Sequence, residues 1–544
     1  MPPTVKRWFV KQYQRMKLDD ANGIKPTRFL NKDTAATPLA KATFNAVTFS
    51  AYWGITGINA ASWAIGSSNL ATGLTIPEVF CGVLAGAFMI GFIAFLCGEP
   101  GVRYGVSFPM MSRAAFGIYG SYFVVLTKLL VNCVLFGIQA FWGAQAIRVI
   151  INALCPSFMK LADIVPHISL MGADEFIALV IYLMILFPLL LIPPHRLTSF
   201  MRIAFAAVVM SVCGMLFWAL QPAKDYKKKI HHDDKVVTDR DHIFGFLQCF
   251  SAVGGWWVGN AFRQSDWTRF ARSRKAPAIA QMVAAPLTIT FTALIGTFVA
   301  NEVRDRYGVQ TWQPTEILAQ MQSMEYTAGM RVGTFFAGVG WLFSQLSINL
   351  VHNSVAAGMD LSSMIPEVIN IRRGAVVIVI LGIATSPWRL VRSPATFIVV
   401  MSAFGTFTAP LAGILIADFW WVRKASYNVE ELYMANSRYW YCYGFNYRAF
   451  MAWFLAMWPS IPGFLAHVVD VDDRAYVWHY VFQLTFIVGL TGGFFWYMIM
   501  CFMFPLRDPT DGETTIASRA SIESSNFGDT SSETEDYPPT HNQF

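Results

Sequence analysis

The sequence predicts an all-α polytopic membrane protein with about twelve transmembrane helices. Of its 544 residues, 55% are hydrophobic and only 14% are charged, and the mean hydropathy is +0.43. The apolar residues form repeated stretches of about twenty, the length of helix that crosses the hydrocarbon core of a bilayer. Two of these stretches contain clusters of glycine with serine, threonine or asparagine, which is typical of broken helices that line a cavity.

The predicted spans, numbered 1 to 12 in chain order, are 43–67, 76–97, 117–154, 175–192, 199–220, 243–263, 277–300, 331–359, 374–387, 394–420, 447–468 and 478–504. Span 9 is short, so we expect it to be tilted or partly re-entrant. Spans 1 and 6 each open a group of five with glycine and tryptophan, which indicates an inverted five-plus-five repeat. The repeats cover residues 43–220 and 243–420, and spans 11 and 12 (447–504) are two extra helices.

Both ends of the chain are expected in the cytosol. Residues 1–42 form a polar, basic arm without the apolar run of a cleavable signal peptide, so span 1 is expected to direct insertion. Arginine and lysine concentrate in alternate connections, and the positive-inside rule assigns these to the cytosol. Residues 507–544 contain few apolar residues and no lysine, which predicts a disordered cytosolic tail. If ubiquitin-ligase adaptors control turnover, the arm supplies the lysines.

The motifs of several other protein classes do not occur. The eight cysteines are scattered without the spacing of a metal site. The sequence contains no Walker loop, no His-Glu-x-x-His motif and no convincing nucleophile elbow. We therefore expect no bound metal or cofactor, no enzymatic activity, no nucleic-acid partner and no transport driven by nucleotide hydrolysis.

Spans 1 and 6 carry the two glycine-rich motifs. Residues 53–59 read Trp-Gly-Ile-Thr-Gly-Ile-Asn and residues 254–260 read Gly-Gly-Trp-Trp-Val-Gly-Asn. Glycine weakens a helix, and free carbonyl groups at a break can hold a ligand or a cation. Close packing of helices is the alternative explanation. We predict that both spans are broken and face each other at the middle of the membrane.

Spans 3 and 8 carry polar residues along one helical face. On span 3, offsets of zero, seven, eleven and fourteen place Lys128, Leu135, Gln139 and Trp142 on one side. On span 8, the residues that recur every fourth position are Trp341, Gln345, Asn349 and Asn353. Polar groups at membrane depth are costly unless they line a site or bind a neighbouring helix, so these faces predict cavity walls, with helix packing as the alternative.

Four stretches resemble nucleobase–cation symporter family one, most closely its fungal uracil, allantoin and uridine permeases. They are residues 98–117, 256–269, 353–374 and 409–424, and they include Asn260, Asp266, Arg269, Asp360 and Asp418. The resemblance implies a leucine-transporter-like fold with alternating access. It also implies import of a nucleobase or related heterocycle with a cation, usually a proton in the fungal branch.

The resemblance also implies the substrate-binding residues. Family members carry Trp-x-Gly-x-Gln on span 3, where the ring stacks on the substrate and the amide pairs with its edge. Here residues 135–139 read Leu-Phe-Gly-Ile-Gln, so Gln139 is kept and Leu135 replaces the ring. Trp256 matches a second stacking aromatic residue, with Trp257 as the alternative. The family's substrate-binding asparagine corresponds to Asn353, and Asn349 is a second candidate on the same face.

The coupling ion is expected to be a proton. Sodium-coupled relatives use a small residue and a Ser-Thr pair on span 8, where this chain has Ser344, Ser347 and Ile348. Isoleucine offers no side-chain oxygen to a hard cation, so sodium is less favoured. His352 titrates in the useful range and is a candidate for proton coupling, although a neutral histidine bonded to a neighbour is the simpler explanation.

Four further residues are candidates for controlling access. Asp360 and Asp418 are expected in a cytosolic network that stabilises one access state, and bulky Met401 or Phe404 on span 10 could close the external path. Lys128 is expected either to extend to the cytosolic surface or to pair internally.

The sequence thus predicts a plasma-membrane importer of a small heterocycle driven by proton symport. Within transport, thiamine and nicotinamide riboside are the rival substrates, since Leu135 alters the stacking position. A nutrient sensor that binds without transporting is the alternative of another class.

Overall fold

The computed structural model describes residues 17–18, 26–163, 171–192, 198–221, 239–469 and 477–506. Within these ranges the regular structure is helical, and the extended pairings are two isolated bridges, Phe44 with Ala271 and Cys442 with Phe445. Nine of the described helices are long and apolar enough to cross a membrane. The prediction of an all-α membrane protein is confirmed. The predicted tail at 507–544 and most of the arm before residue 26 lie outside the described residues.

The spans are helices or groups of consecutive helices. Their bounds are Ala46–Gly57 with Ala60–Ala71 (span 1), Ile76–Tyr104 (2), Gly120–Leu154 (3), Ala173–Leu190 (4), Thr198–Leu220 (5), Asp239–Ala261 with Ser265–Thr268 (6), Lys275–Tyr307 (7), Ala328–Met364 (8), Ile371–Ala384 with Pro387–Arg389 (9), Pro394–Val422 (10), Tyr447–Val468 (11), and Val477–Gln483 with Thr485–Met503 (12). Spans 1, 6 and 9 are absent from the nine membrane-crossing helices, because 1 and 9 are short or divided and 6 is less apolar.

Span 1 is broken where the sequence predicts it. Its first helix ends at Gly57, Ile58 leaves the helical conformation, and Asn59 caps the second helix. The Asn59 side-chain oxygen accepts hydrogen bonds from the backbone N–H groups of Ala61 at 2.6 Å and Ser62 at 3.0 Å. One amide side chain therefore replaces the partners that the break removes from the backbone.

The prediction that span 6 is broken within its glycine-rich motif is wrong, because the helix is continuous there and the turn comes later in the chain. The helix runs through the glycines to Ala261, and the turn follows at residues 262–264. A Cβ on Gly255 would overlap the carbonyl oxygen of Met401, and one on Gly254 would overlap the Phe486 ring. These glycines let spans 10 and 12 approach closely, which is the packing alternative.

Two short helices join the spans. Phe108–Phe116 lies in the connection between spans 2 and 3, and Pro314–Met324 lies between spans 7 and 8. Residues 26–45 pack beside the first of these, since Arg113 donates a hydrogen bond to the carbonyl oxygen of Phe29 at 2.9 Å. We call the side that carries residues 26–45 the amino-terminal face, and the side that carries Pro314–Met324 the opposite face.

The packing of the spans sets the position of the central cavity. Span 3 packs along span 8, and span 10 packs along spans 6 and 12. The break in span 1 lies against span 8, because the Thr56 hydroxyl group contacts the His352 ring at 2.8 Å. Midway between the two faces, this arrangement brings together side chains of spans 1, 3, 6 and 8.

Candidate functional site

The central cavity lies beside the break in span 1. Its lining residues are Thr56, Asn59, Leu135, Gln139, Trp256, Trp257, Asn260, Ile348, His352 and Asn353. They enclose about 270 Å³ of space between atoms, but the centre of a water-sized molecule fits in only about 10 Å³ of it. The cavity is therefore too small for a ring-sized ligand in this conformation, and these side chains must move apart to admit one.

The cavity brings together most of the residues predicted to bind substrate. Gln139, Leu135, Trp256, Trp257 and Asn353 all line it. Their arrangement agrees with the expectation that spans 3, 6 and 8 converge, and their binding roles stay predictions. Both tryptophans border the cavity, so the choice between them is not decided by position.

Three residues that line the cavity have a buried polar atom with no hydrogen-bond partner in the part of the chain that the structure describes. These atoms are the side-chain oxygen of Gln139, the indole N–H of Trp257 and Nδ1 of His352. Burying such a group without a partner costs about 1–3 kcal/mol, so unpaired polar atoms that line a cavity indicate a place for a ligand. The Gln139 oxygen is an acceptor and the Trp257 N–H is a donor, and a ring with both kinds of group can satisfy these two atoms.

Asn353 lies on a wider π-helical turn, Asn349–Val355, within span 8. Its side-chain amide donates to the side-chain oxygen of Asn349 at 2.7 Å. Asn349 in turn donates to the carbonyl oxygen of Phe136 at 3.2 Å and to the hydroxyl oxygen of Tyr182 at 3.0 Å. Asn349 is thus outside the cavity lining and holds Asn353 in place, so its prediction as a direct substrate ligand is not supported by its position.

His352 is held by a residue that the sequence reasoning did not select. The Thr56 hydroxyl group donates to the Tyr52 carbonyl oxygen at 2.6 Å, which uses its only hydrogen. In its 2.8 Å contact with His352 Nε2, Thr56 must therefore accept, and Nε2 carries a proton. Nδ1 of His352 is buried without a partner in the described structure. The glycine-rich motif at 53–59 contained Thr56, but nothing in the sequence indicated a partner on span 8.

Four buried aromatic residues close the cavity towards the opposite face, and we call them the aromatic layer: Trp142, Trp256, Trp312 and Phe397. The Trp142 ring lies 6.2 Å from Trp256 and 5.9 Å from Phe397, and Trp312 lies 4.9 Å from Phe397, measured between ring centroids. The Trp142 indole N–H donates to the side-chain oxygen of Gln313 at 2.8 Å. Trp142 is therefore part of the roof of the cavity and not of its wall.

Buried charges close the cavity towards the amino-terminal face. Arg263 lies 3.0 Å from a carboxylate oxygen of Asp266 and 3.8 Å from one of Asp360, and we call these three residues the ionic cluster. Asp266 also accepts a hydrogen bond at 2.9 Å from the backbone N–H of Phe108, which begins a helix on that face. Lys128 is fully buried and donates to Asn132 at 3.2 Å, so internal pairing is correct and extension to the surface is wrong.

The other predicted residues lie away from the cavity. Asp418 binds Arg423 at 2.9 Å and the Tyr497 hydroxyl group at 2.8 Å, a separate network between spans 10 and 12. Met401 and Phe404 are buried in span 10 and do not line the cavity. Ser344 and Ser347 are buried on span 8 with hydroxyl groups that have no partner in the described ranges.

Asn59 and Asn260 complete the polar lining and were not selected as site residues. Both end the glycine-rich motifs of spans 1 and 6, so an amide closing each motif is the signal that could have identified them. Among the described residues, no group of three or more His, Cys, Asp or Glu side chains is arranged to hold a metal ion.

Comparisons with known proteins give one consistent result. A family model described as permease for cytosine/purines, uracil, thiamine, allantoin matches residues 37–489. The allantoin permease of Saccharomyces cerevisiae is 27% identical over 527 residues, which cover 93% of this chain and 81% of that protein. The thiamine transporter of the same yeast is 27% identical over 482 residues, covering 88% and 80%.

The fold also has solved counterparts. The structure of Mhp1, a nucleobase-cation-symport-1 family transporter, in a closed conformation with bromovinylhydantoin bound has a TM-score of 0.68 at 19% identity. The match covers 89% of this chain and 98% of that one. The likeness confirms the leucine-transporter-like fold that the sequence predicts.

Proposed function

The chain belongs to the family of permeases for cytosine/purines, uracil, thiamine and allantoin, and we propose that it imports a nucleobase or related small heterocycle with a proton. Members of this family are transporters and not enzymes. The proposal adds the substrate class and the coupling ion. It also adds a plasma-membrane location in which the amino-terminal face is cytosolic and the opposite face is external.

The observation that carries the proposal is that an acceptor and a donor without partners, on Gln139 and Trp257, both border the central cavity. The Gln139 oxygen accepts and the Trp257 N–H donates, while Trp256 offers a flat apolar surface beside them. A planar heterocycle carries donors and acceptors on its edge and an apolar face, so it satisfies all three groups at once. A purely apolar ligand would leave both polar atoms unpaired.

Leu135 supports a second set of substrates within the same transport function. It lines the cavity at the position where the resemblance implies a stacking ring. A leucine side chain contacts a ring without the preferred stacking geometry of two aromatic systems. Thiamine and nicotinamide riboside, each of which contains a positively charged ring, are therefore the alternatives to uracil, uridine and allantoin, whose rings are neutral.

Proton coupling is supported by the side chains beside the cavity. Ile348 borders it and supplies no oxygen for sodium, although Ser344 and Ser347 on the same span have unpartnered hydroxyl groups. His352 carries its proton on Nε2 towards Thr56, which leaves Nδ1 free to take up a second proton. The coupling step we propose is protonation of that atom when the cavity is open to the outside.

Alternating access follows from the two closures of the cavity. The aromatic layer separates it from the opposite face and the ionic cluster from the amino-terminal face. Import requires the first to open while the second stays closed, and then the reverse. The break at Ile58 in span 1 lies between the two closures and is the hinge we propose. Lysines of the amino-terminal arm are the proposed sites for ubiquitin-ligase adaptors.

Uptake tests the function directly. Cells that lack endogenous permeases would express the chain and receive labelled uracil, uridine, allantoin, cytosine, hypoxanthine, thiamine or nicotinamide riboside at acid and neutral pH. We expect one class to accumulate, faster at acid pH. Binding of one compound without accumulation of any would indicate the sensor instead.

A Gln139→Ala variant tests the site. Loss of about two hydrogen bonds at about 0.5–1.5 kcal/mol each, or about 1–3 kcal/mol together, predicts an increase of roughly five- to 150-fold in the substrate concentration for half-maximal uptake. Gln310 is exposed and donates to the Ala71 carbonyl oxygen outside the cavity, so Gln310→Ala is the matched control. Equal uptake by both variants at equal surface amounts would remove Gln139 from the site.

A further inference from the structure

A second, larger cavity lies outside the aromatic layer, on the opposite face. Its lining residues are Phe141, Gln145, Arg148, Glu175, Gln313, Glu316, Trp388, Val391 and Arg392. Water-sized molecules can be centred in about 250 Å³ of it, against about 10 Å³ in the central cavity. We call it the vestibule. Spans 3 and 4, the helix Pro314–Met324 and the connection between spans 9 and 10 all contribute to its wall.

The vestibule is joined to the central cavity through one tryptophan. Gln313 lines the vestibule and accepts the hydrogen bond from the Trp142 indole, while the Trp142 ring contacts Trp256 of the central cavity. Gln313 also donates to the carbonyl oxygen of Val391 at 2.7 Å, which fixes its orientation. A ligand in the vestibule therefore lies one aromatic side chain away from the central cavity.

One carboxylate of the vestibule lacks a close cation among the described residues. Arg148 is already balanced, since it lies 3.1 Å from Glu175 and 3.6 Å from Asp174. Gln145 also donates to Glu175 at 2.6 Å. Glu316 makes neither a hydrogen bond nor an ion pair with the described residues, and its side chain is exposed to the vestibule. Arg148 thus faces two carboxylates already, and neither Arg148 nor Arg392 forms an ion pair with Glu316.

The surroundings of Glu316 are those of a carboxylate without a close cation. Partial desolvation raises the pKa of Glu316, and the Arg148 guanidinium lowers it by a smaller amount. A cation in the vestibule would give this carboxylate the charged partner that it lacks. The rings of Trp388 and Phe141 add apolar walls, and the face of a tryptophan ring attracts an organic cation by about 0.5–2 kcal/mol.

We propose that the vestibule is a second ligand site, where Glu316 and the Trp388 ring hold a flat heterocyclic cation before it passes Trp142. The inference deepens the proposed function and rests on it, since it places the site on the path of entry. The inference also specifies the charge of the ligand, because a positively charged thiazolium or pyridinium ring suits this site and an anionic ring does not. Neutral heterocycles would pass without being held.

The test is equilibrium binding to the purified full chain in lipid nanodiscs, with labelled thiamine as the cationic probe and labelled uracil as the neutral one. We expect Glu316→Gln to weaken thiamine binding about tenfold and to leave uracil binding unchanged. Trp388→Leu should also weaken thiamine binding, by a smaller factor. Thermal unfolding of each variant would establish that it is folded.

Glu302 is the matched control, because it is a carboxylate outside the vestibule that pairs with Arg306 at 3.5 Å. Glu302→Gln should bind thiamine as the unaltered chain does. Gln139→Ala should retain vestibular binding of thiamine, since Gln139 lies inside the aromatic layer. Thiamine binding that survives Glu316→Gln unchanged, or that disappears in Gln139→Ala alone, would overturn the proposal.

The outcomes also separate this inference from the proposed function. If no heterocycle accumulates in cells but thiamine binding still depends on Glu316, the vestibular site stands and import is wrong. If import occurs and thiamine binding does not depend on Glu316, the function stands and the vestibular site is wrong.

Discussion

The two closures of the central cavity use different chemistry. Towards the opposite face, the aromatic layer packs ring against ring, and the Trp142 indole adds a hydrogen bond to Gln313. Towards the amino-terminal face, the ionic cluster is buried beneath a chain segment that binds several elements through polar contacts. Asn31 donates to the carbonyl oxygen of Pro366 at 3.1 Å, and Arg269 donates to that of Asp33 at 3.1 Å.

The difference indicates which closure opens more readily. An aromatic pair contributes about 0.5–1.5 kcal/mol beyond its buried area and has no strict partner requirement, so rings can slide apart. Separating a buried ion pair leaves charges without partners, which costs about 3–5 kcal/mol. We therefore expect the opposite face to open first and the amino-terminal face to be the slower one.

The largest expected effect comes from removing the shared partner of the ionic cluster. Arg263→Met removes the ion-pair partner of the buried carboxylates of Asp266 and Asp360, which predicts a loss of about 3–5 kcal/mol in the free energy of unfolding. Thermal unfolding of the purified protein in detergent would measure it. Arg274→Met is the control, because that arginine pairs with Glu99 while 62% exposed. Equal effects of the two substitutions would contradict the distinction between the closures.

The broken span 1 could be predicted because its cause is local. Asn59 satisfies the backbone groups two and three residues ahead of it, and such a cap is visible in the sequence. The glycines of span 6 looked the same but serve a contact with spans 10 and 12. Sequence shows that a glycine is present, whereas only the packing shows whether it frees the backbone or admits a neighbour.

The residues of the central cavity could be predicted better than the contacts that close it. Gln139 and Asn353 followed from helical periodicity and the family resemblance. The helix Pro314–Met324 has proline at its first position and Glu316 in its first turn, which are helix-start signals that were present but not used. The contacts of Trp142 with Gln313, and of Thr56 with His352, join residues 171 and 296 positions apart and have no local signal.

A smaller effect is expected where the amino-terminal segment binds the spans. Asn31→Ala removes the hydrogen bond to Pro366 and the acceptor for the backbone N–H groups of Asp33 and Thr34, a loss of about 1–2 kcal/mol. Hydrogen exchange in residues 26–45 should accelerate about tenfold, and exchange in Pro314–Met324 should not change.

Asn45 offers the matched control on the same segment. It caps span 1 by accepting from the Thr48 N–H, and it is exposed. Asn45→Ala should loosen the first turn of span 1 alone. If it released residues 26–35 as strongly as Asn31→Ala does, the contact with Pro366 would not be what holds the segment.

The smallest effect should come from the aromatic layer, and it should appear on the other face. Trp142→Phe keeps a ring in contact with Phe397 but removes the hydrogen bond to Gln313, worth about 0.5–1.5 kcal/mol. Exchange should accelerate up to about tenfold in Pro314–Met324 and stay constant in residues 26–45. Trp453→Phe, on span 11, removes a comparable indole hydrogen bond to the carbonyl oxygen of Phe407 on span 10 and should leave both segments unchanged. Each closure is followed by exchange in its own segment. If Trp142→Phe accelerated exchange in both segments, the two closures would open together. That result would exclude the order of opening inferred from their chemistry.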